Sequence, residues 1–228
     1  MPSSSLNLVS KILAVLAKDV RQELRNRYAL NAILMFAITT LAAVSFSVGQ
    51  SGLSPKLLAA LFWIIMLFSA MSGLAQAFIR EEETGTSLAL KLWADPEPVY
   101  VGKLLFNLLL LSIMAALVTP LFFIFTDAAL GGNPVIFLMV VILGVFGLCA
   151  GTTLVAAIIA RAAVRGALFA VLSFPVLVPL LLVLISTTEK VWQAGTPGGI
   201  GAEIQFLVAY GVVMITGSLL LFRFVWQE

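Results

Sequence analysis

The chain has 228 residues, of which 61% are hydrophobic and only 11% are charged, and its formal net charge is +2. Soluble globular domains carry roughly 25% charged residues, so this composition excludes a soluble globular protein. The stretches outside the apolar blocks are also too short to fold as a separate catalytic or nucleotide-binding domain.

A helix is predicted over residues 6–25, ahead of the first apolar block. Its apolar side chains recur at helical spacing, and basic side chains lie on its other faces. Such a helix lies in a membrane interface, where Lys and Arg reach lipid phosphates. The alternative is a cytosolic extension that only supplies positive charge. The apolar positions are Val9, Ile12, Leu13, Leu16, Val20 and Leu24.

Six apolar blocks follow, each long enough to cross a hydrocarbon core, which takes roughly 20 residues of helix. The first five contain no Asp, Glu, Lys or Arg, and the sixth contains only Arg223, near its end. We therefore predict an all-α integral membrane protein with six transmembrane helices in a single membrane domain, residues 1–228. The interfacial segment is 1–27, and the spans are 28–48, 57–79, 104–126, 134–160, 167–187 and 204–226.

The basic residues predict the orientation, because Lys and Arg concentrate on the cytoplasmic side of membrane proteins. Only Lys56 and Lys190 lie in the gaps on one side. Both termini are therefore predicted to be cytoplasmic. The other eleven of the 13 basic residues lie on the side of the termini: Lys11, Lys18, Arg21, Arg25, Arg27, Arg80, Lys91, Lys103, Arg161, Arg165 and Arg223.

The longest cytoplasmic connection, residues 80–103, is acidic at its start and apolar in its middle. The acidic part is Glu81–Glu83, and the apolar part, Leu88–Trp93, is predicted to form a short helix that Pro96 and Pro98 end. An exposed apolar helix needs a cover. The cover is the membrane surface, the protein's own helices or a docked partner, and composition does not choose among them.

Two groups of residues inside the spans predict features of helix packing. Gly144, Gly147 and Gly151 lie in the fourth span, where small residues let helix backbones approach closely. Pro175 and Pro179 lie one turn apart in the fifth span and remove two backbone donors, which predicts a bend. The bend either serves gating or fits the helix to its neighbours.

Several kinds of chemistry lack the residues they need. The sequence has no His and no phosphate-binding Gly-x-x-x-x-Gly-Lys-Ser/Thr loop, and we expect no catalytic, cofactor-binding or metal-binding residues. The first five spans hold no ionisable group that could carry a proton at membrane depth. The only cysteine, Cys149, is expected to be a small packing side chain. Energy for any driven process is therefore expected to come from another subunit.

The chain resembles the cytochrome c maturation protein B family, permease subunits long named haem exporter protein B. The resemblance covers nearly the whole chain and rests on the cytoplasmic loop, on the turn before the fifth span and on the fifth span itself. The residues that carry it are Arg80, Glu83, Gly85, Leu88, Leu90, Pro96, Pro98, Gly102 and Lys103, the turn Arg161–Gly166, and Phe174–Pro179.

The resemblance implies an ABC-2-type permease in an ABC-type assembly of the bacterial inner membrane, which works in attaching haem to c-type cytochromes. ATP binds to a partner ATPase subunit, and haem is the candidate substrate. The implied partners are that ATPase, the haem-handling C subunit, the small D subunit and the haem chaperone E. A second copy of the chain is a further candidate, and nucleic acid is not a partner.

We expect the ATPase to contact the cytoplasmic loop through its acidic and apolar residues. Two other functions remain open from the sequence. One is an ABC-2-type exporter permease for a lipid, a drug or a polysaccharide, and the other is a membrane scaffold without a coupled ATPase. The expected coupling residues are Arg80, Glu81, Glu82, Glu83, Gly85, Leu88, Leu92 and Trp93.

Overall fold

The computed structural model describes residues 4–48, 53–74, 96–126, 132–159, 165–193 and 199–227. Within these ranges the regular secondary structure is entirely helical, as predicted for an all-α protein. The helices are α1 (Ser4–Asn26), α2 (Tyr28–Val48), α3 (Pro55–Leu74), α4 (Pro96–Thr126), α5 (Pro134–Ile159), α6 (Arg165–Gln193) and α7 (Gly201–Gln227).

Helices α3, α4 and α5 each begin with a proline: Pro55, Pro96 and Pro134. Proline suits the first helical position, because its fixed φ matches the helix and the missing N–H would have no partner there. Pro96 and Pro98 lie in the first turn of α4, so residues 96–103 of the predicted connection are helical. The predicted short helix Leu88–Trp93 lies outside the described residues.

Four of the described helices contain segments long and apolar enough to cross a membrane: Pro96–Thr126, Pro134–Ala156, Val171–Gln193 and Gly201–Phe222. The predicted spans 28–48 and 57–79 correspond to α2 and α3, whose described apolar segments, Leu34–Phe46 and Pro55–Met71, are shorter. The multi-pass character is therefore confirmed, whereas six crossings stay a prediction.

Helix α5 lies in the middle of the bundle and contacts α3, α4, α6 and α7. Helix α1 packs mainly on α4, and α2 packs on α3 and α4. At one end, which we call the α1 end, Val15 of α1 shares a buried cluster with Tyr100 of α4, Ile159 of α5, Phe169 of α6 and Phe222 of α7. Val15 is thus part of the packed core, while Val9, Leu13 and Leu24 of α1 are exposed.

The opposite end of the bundle, the far end, is filled by four aromatic rings from four helices. Phe62, Phe122, Trp192 and Phe137 contact one another in a closed circuit, with ring centroids 5.4, 6.4, 5.6 and 5.9 Å apart in that order. Such aromatic pairs stabilise a core beyond their buried area. This aromatic cluster joins α3, α4, α5 and α6.

Candidate functional site

A buried ion pair joins α1 to α4 at the α1 end. Lys103 is fully buried, and its Nζ lies 3.7 Å from Oδ2 of Asp19, whose side chain is 8% exposed. The other carboxylate oxygen of Asp19 lies 3.2 Å from Nζ of the more exposed Lys18. Burying a charge away from water costs roughly several kcal/mol unless an oppositely charged partner offsets that cost. The pairing with Asp19 therefore explains how the charged Lys103 can be buried where α4 packs on α1.

Gly102 brings the two helices close enough for this pair. A Cβ atom placed on Gly102 would lie 2.7 Å from Cγ1 of Val15 and 3.2 Å from the carbonyl oxygen of Ile12. Both distances are shorter than an ordinary van der Waals contact, so only glycine fits without displacing α1. The neighbouring Lys103 is thereby held against the buried face of α1.

A tight turn fixes the path from α1 into α2. Glu23 is buried, and its Oε1 accepts a hydrogen bond from the N–H of Leu30 at 2.9 Å. This bond satisfies one of the unpaired N–H groups at the start of α2. Arg27 adopts a φ of 50°, in the left-handed region that non-glycine residues rarely occupy. Val15, Asp19 and Glu23 recur every four residues along one face of α1, which is the face turned towards the bundle.

Uncharged polar groups continue from this pair into the bundle. Nδ2 of Asn107 donates a hydrogen bond to Oγ1 of Thr153 at 2.9 Å and so links α4 to α5. Cys149 is buried, with Sγ 3.5 Å from the carbonyl oxygen of Leu104. The thiol has the environment of a packing side chain, in agreement with the prediction. Buried polar groups of this kind specify a single alignment of neighbouring helices when they are paired.

The three glycines of the fourth span all lie at close helix contacts. A Cβ on Gly144 would lie 2.1 Å from Cη2 of Trp63, and one on Gly151 would lie 2.6 Å from Cδ2 of Leu177. The corresponding distance from Gly147 to a methyl carbon of Leu180 is 3.0 Å. These contacts are the close approach that small residues permit between helices.

Helix α6 runs without interruption through Pro175 and Pro179. Between the two prolines, the carbonyl oxygen of Val176 accepts a hydrogen bond from the hydroxyl of Tyr210 at 2.8 Å. Because each proline removes one backbone hydrogen bond from the helix, this bond from α7 supports the weakened segment. The predicted bend at the two prolines stays a prediction.

Comparison with models of known protein families gives a match to the CcmB protein over residues 10–225. The chain belongs to the CcmB family. The match covers nearly the whole chain and confirms the resemblance found in the loop and the fifth span. A search among curated proteins found no match.

Membership in the CcmB family makes the protein a membrane component of the cytochrome c maturation system. The family belongs to a multi-subunit complex that exports haem, and its members are transport subunits and not catalytic enzymes. The long apolar helices of the bundle agree with a location in the membrane. The described helices therefore belong to one subunit of a larger assembly.

The coupling residues predicted in this CcmB chain, from Arg80 to Trp93, lie outside the described residues. The structure instead brings Asp19 of α1 to Lys103 near the start of α4, with the buried Glu23 one turn further along α1, and sequence reasoning missed them. Two signals could have found them. Asp19 and Glu23 share the helical face of Val15, and a proline followed by an acidic residue, as at Pro96–Glu97, is typical of a helix start.

Proposed function

We propose that this CcmB chain is the permease subunit that couples ATP hydrolysis by a partner ATPase to haem delivery or to release of a haem-loaded chaperone. The observation that supports it most is the buried pair of Asp19 and Lys103. The pair links α1 to the first turns of α4, directly after the loop in which the ATPase contacts are expected.

A displacement of the loop would reach α4 at its first residue, Pro96. Lys103 lies seven residues further along the helix, which corresponds to about 10 Å. Separating Asp19 from Lys103 would break a buried ion pair, which is costly, so α1 and the start of α4 are expected to move together. The unit formed by α1 and the start of α4 can therefore transmit a displacement of the loop to the bundle.

The loop itself offers two kinds of contact to an ATPase. A groove on the ATPase covers Leu88, Leu92 and Trp93, and basic residues at its rim meet Glu81–Glu83. The chain has no His, which is the commonest haem ligand in proteins. That composition favours a mechanical role for the chain over direct haem ligation.

The double variant Leu88→Asp with Trp93→Ala tests the proposal. Each large apolar side chain contributes roughly 1.5–3 kcal/mol when it is buried, so we expect both ATPase co-purification and cytochrome c assembly to be lost. Membrane insertion should be unchanged. The matched control is Lys91→Gln with Ala94→Ser, which alters the same loop and keeps both apolar side chains. Wild-type retention of the ATPase by the Leu88/Trp93 variant would exclude the coupling role, and a wild-type protein that retains no ATPase would favour a scaffold.

We also propose six crossings of the inner membrane with both termini in the cytoplasm. A fluorescent protein that matures only in the cytoplasm, fused after Glu228, is expected to fluoresce. An alkaline phosphatase inserted within residues 194–198 is expected to be active, because phosphatase folds only outside the cytoplasmic membrane. Phosphatase activity from a fusion after Glu228 would refute the orientation.

A further inference from the structure

A groove of about 440 Å³ runs along the outside of the bundle between α4 and α5. On α4 it is lined by Leu108 at one end and otherwise by small or short side chains, among them Ser112, Ala116 and Pro120. On α5 it is lined by large apolar residues, including Leu138 and Ile142, each of which is 58% exposed. Leu108 and Pro120, both in the lining, are twelve residues apart on α4, so the groove extends about 18 Å along that helix.

The groove contains polar groups that lack partners within the chain. Thr119 lines it, and the Oγ1 atom of Thr119 is shielded from solvent yet makes no hydrogen bond. Pro120 has no N–H, so the carbonyl group of Ala116 loses the helical hydrogen bond that it would otherwise accept. Both groups lie in a helix that is long and apolar enough to cross a membrane. Unpaired polar groups at membrane depth are costly, which points to an occupant that can form hydrogen bonds.

We propose that the groove receives a transmembrane helix of another membrane subunit of the complex, with a Ser, Thr, Asn or Gln side chain that donates to the Ala116 carbonyl group or pairs with the Thr119 hydroxyl. Small residues on α4 allow the incoming backbone to approach closely, and polar side chains link membrane helices by hydrogen bonds. This proposal rests on membership in a multi-subunit complex and does not depend on coupling to the ATPase.

Two other occupants fit the groove less well. A lipid acyl chain fills an apolar depression but has no donor or acceptor for Thr119 and Ala116. A second copy of the chain related by a two-fold axis would present the same surface patch. Two concave patches placed face to face leave a gap between them, so the groove does not complement itself.

Two substitutions test the contact. Ala116→Leu fills the floor of the groove, and Thr119→Val removes the hydroxyl at nearly constant volume. We expect each to reduce retention of a membrane subunit in the purified complex, by up to about tenfold. Ala116→Leu should have the stronger effect, and retention of the ATPase should be unchanged. The matched controls are Ala209→Leu on the exposed face of α7 and Thr39→Val on the exposed face of α2, and both should behave as wild type. Unchanged retention in both groove variants would overturn the proposal.

Photochemical crosslinking in the intact complex identifies the occupant directly. A benzoylphenylalanine in place of Ser112, which is exposed in the groove, is expected to form an adduct with a transmembrane segment of another subunit, located by mass spectrometry. The same probe in place of Ala209 should not form that adduct. Adducts confined to lipid, or to a second copy of this chain, would overturn the proposal. This result does not depend on whether Ala116→Leu or Thr119→Val affects folding. The groove proposal and the ATPase coupling are tested independently, because the Leu88/Trp93 variant reports only on retention of the ATPase.

Discussion

Replacing Asp19 with Asn is expected to lower the free energy of unfolding by about 3–5 kcal/mol, the usual cost of breaking a buried ion pair. The variant removes the carboxylate that lies 3.7 Å from the fully buried Nζ of Lys103. The ammonium group then faces a neutral amide of the same shape. Thermal unfolding of the purified protein in detergent measures the change, and the midpoint should fall by roughly 10 °C.

Two further variants separate charge burial from other effects of the substitution. Asp19→Leu with Lys103→Met replaces both charges by apolar groups and should restore most of the stability. Lys190→Gln removes one member of the pair with Glu203, which is more exposed, since the two side chains are 48% and 18% exposed. That change should cost less than about 1 kcal/mol. If Asp19→Asn unfolds at the wild-type temperature, the pair does not hold α1 to the bundle.

Gly144→Ala is expected to destabilise the bundle by about 1–3 kcal/mol through overpacking. The added methyl group would lie 2.1 Å from Cη2 and 2.5 Å from Cζ3 of Trp63. The indole ring must therefore move, and its Nε1, which donates to Oγ1 of Thr188 at 2.8 Å, is expected to lose that hydrogen bond. A lost buried hydrogen bond adds about 1 kcal/mol to the cost.

The control for this prediction is Gly217→Ala on α7, where an added Cβ meets no atom within 4 Å. That variant should be neutral or more stable, because alanine restricts the unfolded chain more than glycine does. Combining Gly144→Ala with Trp63→Phe, which shortens the ring, should recover part of the loss. Thermal midpoints of the four proteins give the comparison. Equal midpoints for the Gly144 and Gly217 variants would show that α3 and α5 are not in tight contact at Trp63.

The sequence predicts the helical elements well, because long apolar runs and the charges between them act locally. Helix α2, Tyr28–Val48, has the bounds of the first predicted span, and α5, Pro134–Ile159, ends one residue before the predicted span does. The third span is predicted to begin at residue 104, eight residues after the start of α4. The apolar run that hydropathy detects begins only after Lys103. The helix begins earlier, at Pro96, because the backbone preference of proline sets its first residue.

The candidate site was harder to predict because it depends on pairing between distant parts of the chain. The apolar pattern places Lys103 in the predicted cytoplasmic connection, residues 80–103. In the structure it is fully buried beside Asp19, which is 84 positions earlier in the sequence. A pairing over that distance in the sequence cannot be read from the charge pattern alone. The partners of Gly102 and Gly144 could not be predicted for the same reason, since a glycine pattern indicates close approach without naming the neighbour.

The aromatic cluster constrains any route for haem through the middle of this chain. A flat macrocycle cannot pass between α3, α4, α5 and α6 while the rings of Phe62, Phe122, Phe137 and Trp192 stay in contact. Opening that circuit would break the contacts between the rings, each worth roughly 0.5–1.5 kcal/mol. A passage along the seam between this chain and a neighbouring subunit leaves the four rings in place.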